Sequence, residues 1–399
     1  MGSSNTIGGA GFPRELLTRP WSERLAYFQA YTVAHPALIA AKEKLLAAIY
    51  DSAPNSLILV LGPTGVGKTT LRLKIEQMLA RSLSSELDTN PTRVPVVSME
   101  TVAPDAGAFN WRDHFRRLLL SMHEPLVPYK MDPAHVNGGT LIRSVRSATQ
   151  PTSADYQYAV EQALRHRRPV AVLIDEAQHL AKIPSGRRLA DQLDVIKSIA
   201  SHTGTVHVLF GTYDLLAFRN LSAQLSRRCF DIHLRRYQLG DEKRTFLGVL
   251  RSFEQNLPLP EAPDLLEDWD YLYERSLGCV GILKEWLNRA LAATARQGGR
   301  KLTREALDGC ALSVSQCDRM VAEILEGERQ MTERREQVCS LRARLGLETR
   351  QSEPSASAPV PPTVTKARPA KRAPRPGKRR PVRDRVGVES HVHVQAATV

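Results

Sequence analysis

The sequence predicts an α/β fold: a parallel sheet covered by helices on both faces, then a purely helical domain, then a tail that cannot build a core. Three observations carry this. The stretch Leu57 to Thr70, LILVLGPTGVGKTT, passes from an apolar run through a glycine-rich loop into Leu71, Leu73 and Ile75 at helical spacing, and reads as strand, loop and helix. Apolar runs at Val94–Met99, Val170–Ile174, Val206–Phe210 and Cys229–Leu234 then alternate with helical patterns, as buried parallel strands do. Beyond Tyr237 the pattern is helical only.

At 399 residues the chain is long enough for two or three cores, and 42% hydrophobic with 24% charged residues is a globular composition. No apolar run approaches the roughly 18 residues that span a bilayer, so no membrane association is expected. The start, MGSSNTIGGAGFP, has neither the basic nor the apolar region of a secretory signal. Gly2 and Thr6 fit a myristoylation string that many glycine- and serine-rich starts also fit, and a loose terminus is the better reading. Cys229, Cys279, Cys310, Cys317 and Cys339 are odd in number and form no CxxC, which argues against disulfides or zinc and for a reducing, cytoplasmic setting.

In order, residues 1–20 read as disordered and 21–50 as a helical arm broken near His35-Pro36. Residues 51–236 form the domain around the glycine-rich loop. A polar break at Ser84–Pro91 precedes the Val94–Met99 strand. An insert at 100–169 is too long to lack structure and offers helices at Phe109–Met122 and Ala154–His166. A helix at Arg188–His202 separates the third and fourth apolar runs. Residues 237–312 read as a small helical domain, with helices at Glu242–Gln255, Pro263–Ser276, Val280–Ala295 and Thr303–Leu312. Residues 313–349 extend it as one longer helix in which Ile324, Met331, Val338 and Leu345 recur every seven residues. The charged stripe of Glu328, Arg335 and Arg342 speaks for a helix lying on the domain before it rather than a coiled coil. Residues 350–399 are a disordered tail rich in Pro, Arg and Lys.

The loop is a P-loop. Gly62, Pro63, Thr64, Gly65, Val66 and Gly67 let the backbone curl so that N–H groups converge on a phosphate; Lys68 reaches the β and γ phosphates, and the helix opening at Lys68-Thr69-Thr70 aims its positive end at the anion. Thr69 offers its hydroxyl to Mg²⁺. The residues alone allow ATP or GTP. The strand Val170–Ile174 ends in Asp175, placed to hold the Mg²⁺ shell, and Glu176, placed to polarise an attacking water; without the P-loop this pair would read as an acidic N-cap. Thr212, after the Val206–Phe210 strand, is placed to hydrogen-bond the γ phosphate or the water, though a helix N-cap would look the same. Arg227 and Arg228 precede the last strand, where an arginine can reach a neighbouring subunit's nucleotide; surface cations are the alternative. Lys284 opens a helix and would bring a cation over the phosphates, or else is a solvated lysine.

This order of motifs resembles an AAA+ ATPase of the initiator type. Finer features resemble the TniB/TnsC group of transposition ATPases: the arm around His35-Pro36, the string Ile174-Asp175-Glu176-Ala177-Gln178-His179-Leu180, the strand end Phe210-Gly211-Thr212, and Ser276 to Leu283 followed by Lys301-Leu302-Thr303. The match spans Trp21 to Leu312. It departs at Lys284, where other AAA+ proteins usually carry arginine. The resemblance implies an AAA+ αβα sandwich with a helical lid, ATP and Mg²⁺ as ligands, and a homo-oligomeric ring or filament on duplex DNA. It also implies partners, a TniQ-type target selector and a DDE transposase. DNA would be gripped within the ATPase domain, where the insert offers Arg112, Arg116, Arg117, Arg143 and Arg146, residues that could equally form a solvated face.

The tail has its own argument. Lys366 to Arg385 holds ten basic residues against Asp384, a net +9 out of +13 for the chain, and Pro369, Pro374, Pro376 and Pro381 keep the clusters extended. Such a segment neutralises phosphates without reading sequence. The alternatives to a transposition regulator are a nucleotide-gated scaffold with little turnover, and a related AAA+ ATPase of replication initiation, helicase loading or secretion.

Overall fold

In the computed structural model, five strands lie parallel in the order β2-β3-β4-β1-β5: β1 Leu57–Leu61, β2 Val97–Glu100, β3 Ala171–Asp175, β4 Val206–Gly211 and β5 Cys229–His233. The structure describes residues 11–53, 56–104, 107, 109–130, 151–182, 189–219, 229–332 and 335–347. Arg143, Arg146, Arg227, Arg228 and the expected tail lie outside them. β1, which leads into the P-loop, lies between β4 and β5, and β4 separates it from β3.

The alternation of β1 explains why the sheet is covered twice. Leu57, Leu59 and Leu61 face one core with Phe115, Leu118 and Leu119 of α5 (Trp111–Ser121), Val160 of α6 (Ser153–Arg167), and Ile196 and Ile199 of α7 (Leu189–Thr203). Ile58 and Val60 face the other, against Leu45 and Ile49 of α2 (Pro36–Asp51) and Leu71, Ile75 and Leu79 of α3 (Lys68–Ser82). Each such leucine or isoleucine taken fully out of water contributes about 1.5–3 kcal/mol, so both helix layers are fixed by the strand pattern.

The arm divides between two bodies. Its first helix, α1 (Trp21–Ala30), packs on the lid: Phe28 joins a core with Phe253, Leu283 and Trp286. Its second, α2, packs on the sheet. Pro36 at the first turn of α2 suits a helix start and forces the chain to turn between them.

The lid consists of α9 (Leu239–Asn256), α10 (Trp269–Ser276), α11 (Val280–Arg296) and α12 (Arg304–Asp308). Two expected lid helices are shorter than their patterns. Residues before Trp269 form a loop instead, held by Glu254 accepting the Leu265 N–H at 3.0 Å and Asp264 accepting the Glu267 N–H at 3.1 Å, side-chain bonds that compete with a helix. Thr303 caps α12 through the Ala306 N–H, and the helix ends at Gly309.

Two further expectations are corrected. The expected polar break after α3 holds a short helix, α4 (Ser84–Thr89); Glu86 in its first turn suits the helix dipole and pairs with Arg93. The long C-terminal helix is two, α13 (Val314–Met331) and α14 (Arg335–Arg344), with extended backbone at Thr332. Ser313 and Gln316 form a capping box at the start of α13. Ile324 and Met331 pack inward, whereas Val338 is 42% and Leu345 64% exposed, so the seven-residue line is not one buried stripe. The chain divides into two units at this point, Met1–Arg335 and Glu336–Val399. Among the described residues, no helix is long and apolar enough to cross a membrane.

Candidate nucleotide-binding site

β1 ends at Leu61 and the loop Gly62–Gly67 leads straight into α3. Gly65 has φ +73° and Gly67 +111°, left-handed conformations that a side chain would strain. A Cβ at Gly67 would point into open space, the cradle that backbone N–H groups need around a phosphate. Lys68 is 7% exposed and its Nζ donates to the carbonyls of Gly62 at 3.0 Å and Pro63 at 2.9 Å. Burial lowers its pKa, and the carboxylates of Glu176 and Asp175 oppose that shift, so the ammonium is held inside the loop by the acids of β3.

Asp175 closes β3 at 1% exposed. Its Oδ1 accepts the Glu176 N–H at 3.0 Å and its Oδ2 accepts from Arg72 Nε at 3.1 Å. Arg72, one turn beyond Lys68 on α3, also bonds Ser98 and pairs with Glu76 at 3.3 Å. The donor set fits Mg²⁺: the Thr69 hydroxyl and the Asp175 carboxylate are hard oxygens at the phosphate end of the loop. Glu176 follows with φ +51°, and Gln178 Nε2 donates to its Oε2 at 2.5 Å. The Thr212 N–H donates to Gln178 Oε1 at 3.4 Å. Thr212 stands at the N-cap position of a short 3-10 turn, yet its hydroxyl donates to Asp214 at 3.2 Å and caps no backbone group. Lys68, Asp175, Glu176 and Thr212 thus meet at the carboxyl edge of the sheet, where such folds keep ligands.

Lys284 is not part of this meeting. It belongs to α11, but its Nζ donates to the Phe28 carbonyl and lies 3.3 Å from the Phe28 ring centroid, with Tyr31 and Phe253 at 5.8 and 5.7 Å. The expected cation over the phosphates is corrected: the aromatic residues of α1 and α9 capture it. Burial pushes its pKa down to about 7. What the lid sets on the P-loop is the start of α11, where the Ile282 N–H donates to the Gly65 carbonyl at 3.2 Å. Gly281 lacks a Cβ because the Gly65 carbonyl takes its place.

Beside the P-loop, α13 borders a cavity of about 810 Å³ lined by Pro63, Thr64, Thr212, Asp214, Glu323 and Glu326. The helix is fixed there by Gly327 against the Tyr213 ring and by Arg236, which holds both carboxylate oxygens of Glu328 at 3.0 and 3.2 Å. Of the candidate insert arginines, the three among the described residues are engaged. Arg117 pairs with Asp113 at 2.5 Å, Arg116 reaches the same carboxylate at 3.9 Å, and Arg112 donates to the Pro151 carbonyl at 2.8 Å. All three lie on the exposed face of α5.

Sequence reasoning gave Arg72, Gln178 and Arg236 no role and read Glu328 only as part of a charged stripe. Arg72 is one turn from Lys68 and could have been found by phase, since a helix puts residues four apart on one side. Arg236 and Glu328 are 92 residues apart, and nothing local links them.

The sheet order, the P-loop after β1 and the acids at the end of β3, with β4 between the two strands, define a P-loop NTPase fold of the AAA+ class. Residues 52–218 match the family model described as AAA domain. Similar solved structures include the Aeropyrum pernix ORC2 protein in ADPNP–ADP complexes, 15% identical over 77% of this chain and 74% of that one, TM-score 0.48. The Aeropyrum pernix ORC1 protein in complex with DNA is 16% identical over 73% and 68%, TM-score 0.47. Cdc6p from Pyrobaculum aerophilum is 12% identical over 76% and 71%, TM-score 0.45. No curated protein sequence matches the chain.

Proposed function

We propose that the chain is an ATP-hydrolysing AAA+ switch of initiator type that assembles with copies of itself on duplex DNA. The convergence of Lys68, Asp175, Glu176 and Thr212 at one sheet edge, with the lid resting on Gly65, is the observation that carries the reading. In hydrolysis Lys68 draws charge from the β and γ phosphates and Glu176 takes a proton from water. The water oxygen bonds the γ phosphorus as the bond to ADP breaks. Thr69 and Asp175 would hold Mg²⁺, which when bound neutralises phosphate charge. The lid contact at Gly65 would report the state of the loop to α11, and through it to a neighbouring subunit.

The DNA part rests on charge. The Lys366–Arg385 segment carries a net +9, and Arg112, Arg116 and Arg117 stand on an outer helix face. Phosphate release measured with and without duplex DNA tests the whole. DNA-stimulated release is expected, and nucleotide binding with no release under either condition would leave the scaffold alternative.

A narrower reading is regulation of transposition, with a DDE transposase and a TniQ-type selector as partners. It is favoured by the strings Ile174 to Leu180, Phe210 to Thr212 and Ser276 to Leu283. Replication initiation or helicase loading is the competing assignment within the same initiator class. Binding of the ATP-loaded chain to a DDE transposase would decide for the first; binding to a replicative helicase instead would decide against it.

A further inference from the structure

Glu176 has to be aimed, and its surroundings offer little to aim it. It sits just past the end of β3, half-buried, in a left-handed backbone conformation that side-chain-bearing residues rarely adopt. Among the described residues, one side chain donates a hydrogen bond to its carboxylate, and that is Gln178.

The amide of Gln178 is itself located from two sides. Nε2 reaches Glu176 Oε2 at 2.5 Å, and Oε1 accepts the Thr212 N–H at 3.4 Å. Space for Oε1 exists because residue 211 is glycine: a Cβ there would lie 2.7 Å from it. The amide therefore spans the ends of two adjacent strands, β3 and β4, which are hydrogen-bonded in register from Ala171↔Val206 to Ile174↔Leu209.

We infer that Gln178 is a positioning residue for hydrolysis: it orients the Glu176 carboxylate toward the attacking water and ties that orientation to Thr212. The inference rests on the ATPase reading given above. A neutral donor on Oε2 leaves Oε1 to accept the water's proton. The hydrogen bond also removes side-chain rotation that a half-exposed glutamate would otherwise keep. Because the other end of the amide rests on the backbone of residue 212, a shift of Thr212 on meeting the γ phosphate moves the base with it.

Two substitutions in the full-length chain test this, with nucleotide affinity read by a fluorescent ADP analogue and turnover by phosphate release across pH. Gln178→Leu is expected to lower kcat by about 10- to 100-fold while affinity and KM for ATP stay close to those of the unsubstituted chain. Gln178→Glu is isosteric and sets a second carboxylate beside Glu176. Two such groups cannot both ionise freely, so the acid limb of the kcat profile is expected to move up by about one pH unit or more. A kcat for Gln178→Leu within about threefold of the unsubstituted value overturns the inference. So does a lowered kcat in both variants with the acid limb unmoved, the signature of a packing role. No phosphate release by the unsubstituted chain overturns the ATPase reading, and this inference with it.

Discussion

The Arg72 guanidinium lies 3.1 Å from Oδ2 of Asp175, one helical turn beyond Lys68. Asp175 is 1% exposed, and a buried carboxylate stripped of its cation costs about 3–5 kcal/mol. Arg72→Ala is therefore expected to lower unfolding stability by that order, and Asp175→Asn in the same chain to recover part of it. Arg72→Lys restores little, because one ammonium cannot span Asp175, Glu76 and Ser98 as the guanidinium does. Denaturant unfolding of the four proteins checks this; an unmoved midpoint in Arg72→Ala would show the pair to be energetically idle.

Lys68 and Glu176 occupy one site but are expected to fail differently. Lys68→Ala removes the charge inside the loop, and nucleotide affinity should fall by about tenfold or more, the loss of one strong charge-assisted contact. Glu176→Gln keeps the shape and removes the base, so affinity should hold while phosphate release slows by about a hundredfold or more. Titration with nucleotide followed by single-turnover release separates them. Loss of binding in Glu176→Gln would remove the assigned role.

Lys284 supplies a pH test with a definite sign. Unfolded, a lysine keeps its proton to about 10.4; folded, burial pushes Lys284 down to about 7. Between those values the unfolded chain binds the extra proton, so this residue makes stability rise as pH climbs above 7, and below 7 its contribution is flat. Lys284→Met should abolish that rise and, because Nζ faces Phe28 rather than the P-loop, leave ATP affinity unchanged. A large loss of ATP affinity in Lys284→Met would return the residue to the phosphates.

Three histidines give stability the same sign of pH dependence lower on the scale. Burial pushes His35, His114 and His207 down to about 4, below the usual value near 6.5. From pH 6.5 to 4 the unfolded chain binds protons that the folded one refuses, so stability is lost as pH falls through that window. The loss is on the order of 1–3 kcal/mol per residue. Melting temperatures at pH 7, 6 and 5 should fall in that order, and His35→Gln should flatten the fall. Equal values at pH 7 and 5 would contradict the burial of these rings.

The sheet and the P-loop were legible because they are written locally. Leu57 to Leu61 is apolar throughout, glycine and lysine follow at fixed spacing, and Asp175-Glu176 closes another apolar run. The structure places each at the same edge. Lys284 was legible as a residue but not as a direction: its helix phase was clear, yet Phe28, whose carbonyl and ring hold it, is 256 residues away. Residues 313–347 looked like one helix because the apolar spacing continues past Thr332, where the extended backbone that separates α13 from α14 leaves no trace in the heptad pattern. Gln178 is two residues from Glu176 in the sequence, but its bonds depend on the absent side chain of Gly211 across the sheet edge.

The arm and the lid together have a mechanical consequence. Since α1 belongs to the lid and α2 to the sheet, the chain crosses between the two bodies at residues 31–35 and at 235–237, and returns a third time where α13 meets Tyr213 and the sheet core. The first two crossings touch: the Tyr237 hydroxyl lies 2.8 Å from His35 Nδ1, both side chains buried. These two are thereby pinned to each other, and α13 adds a separate tie from the lid back to the sheet domain. Because Phe28 is built into the lid core, a displacement of the lid away from Gly65 would carry α1 with it and strain both ties at once.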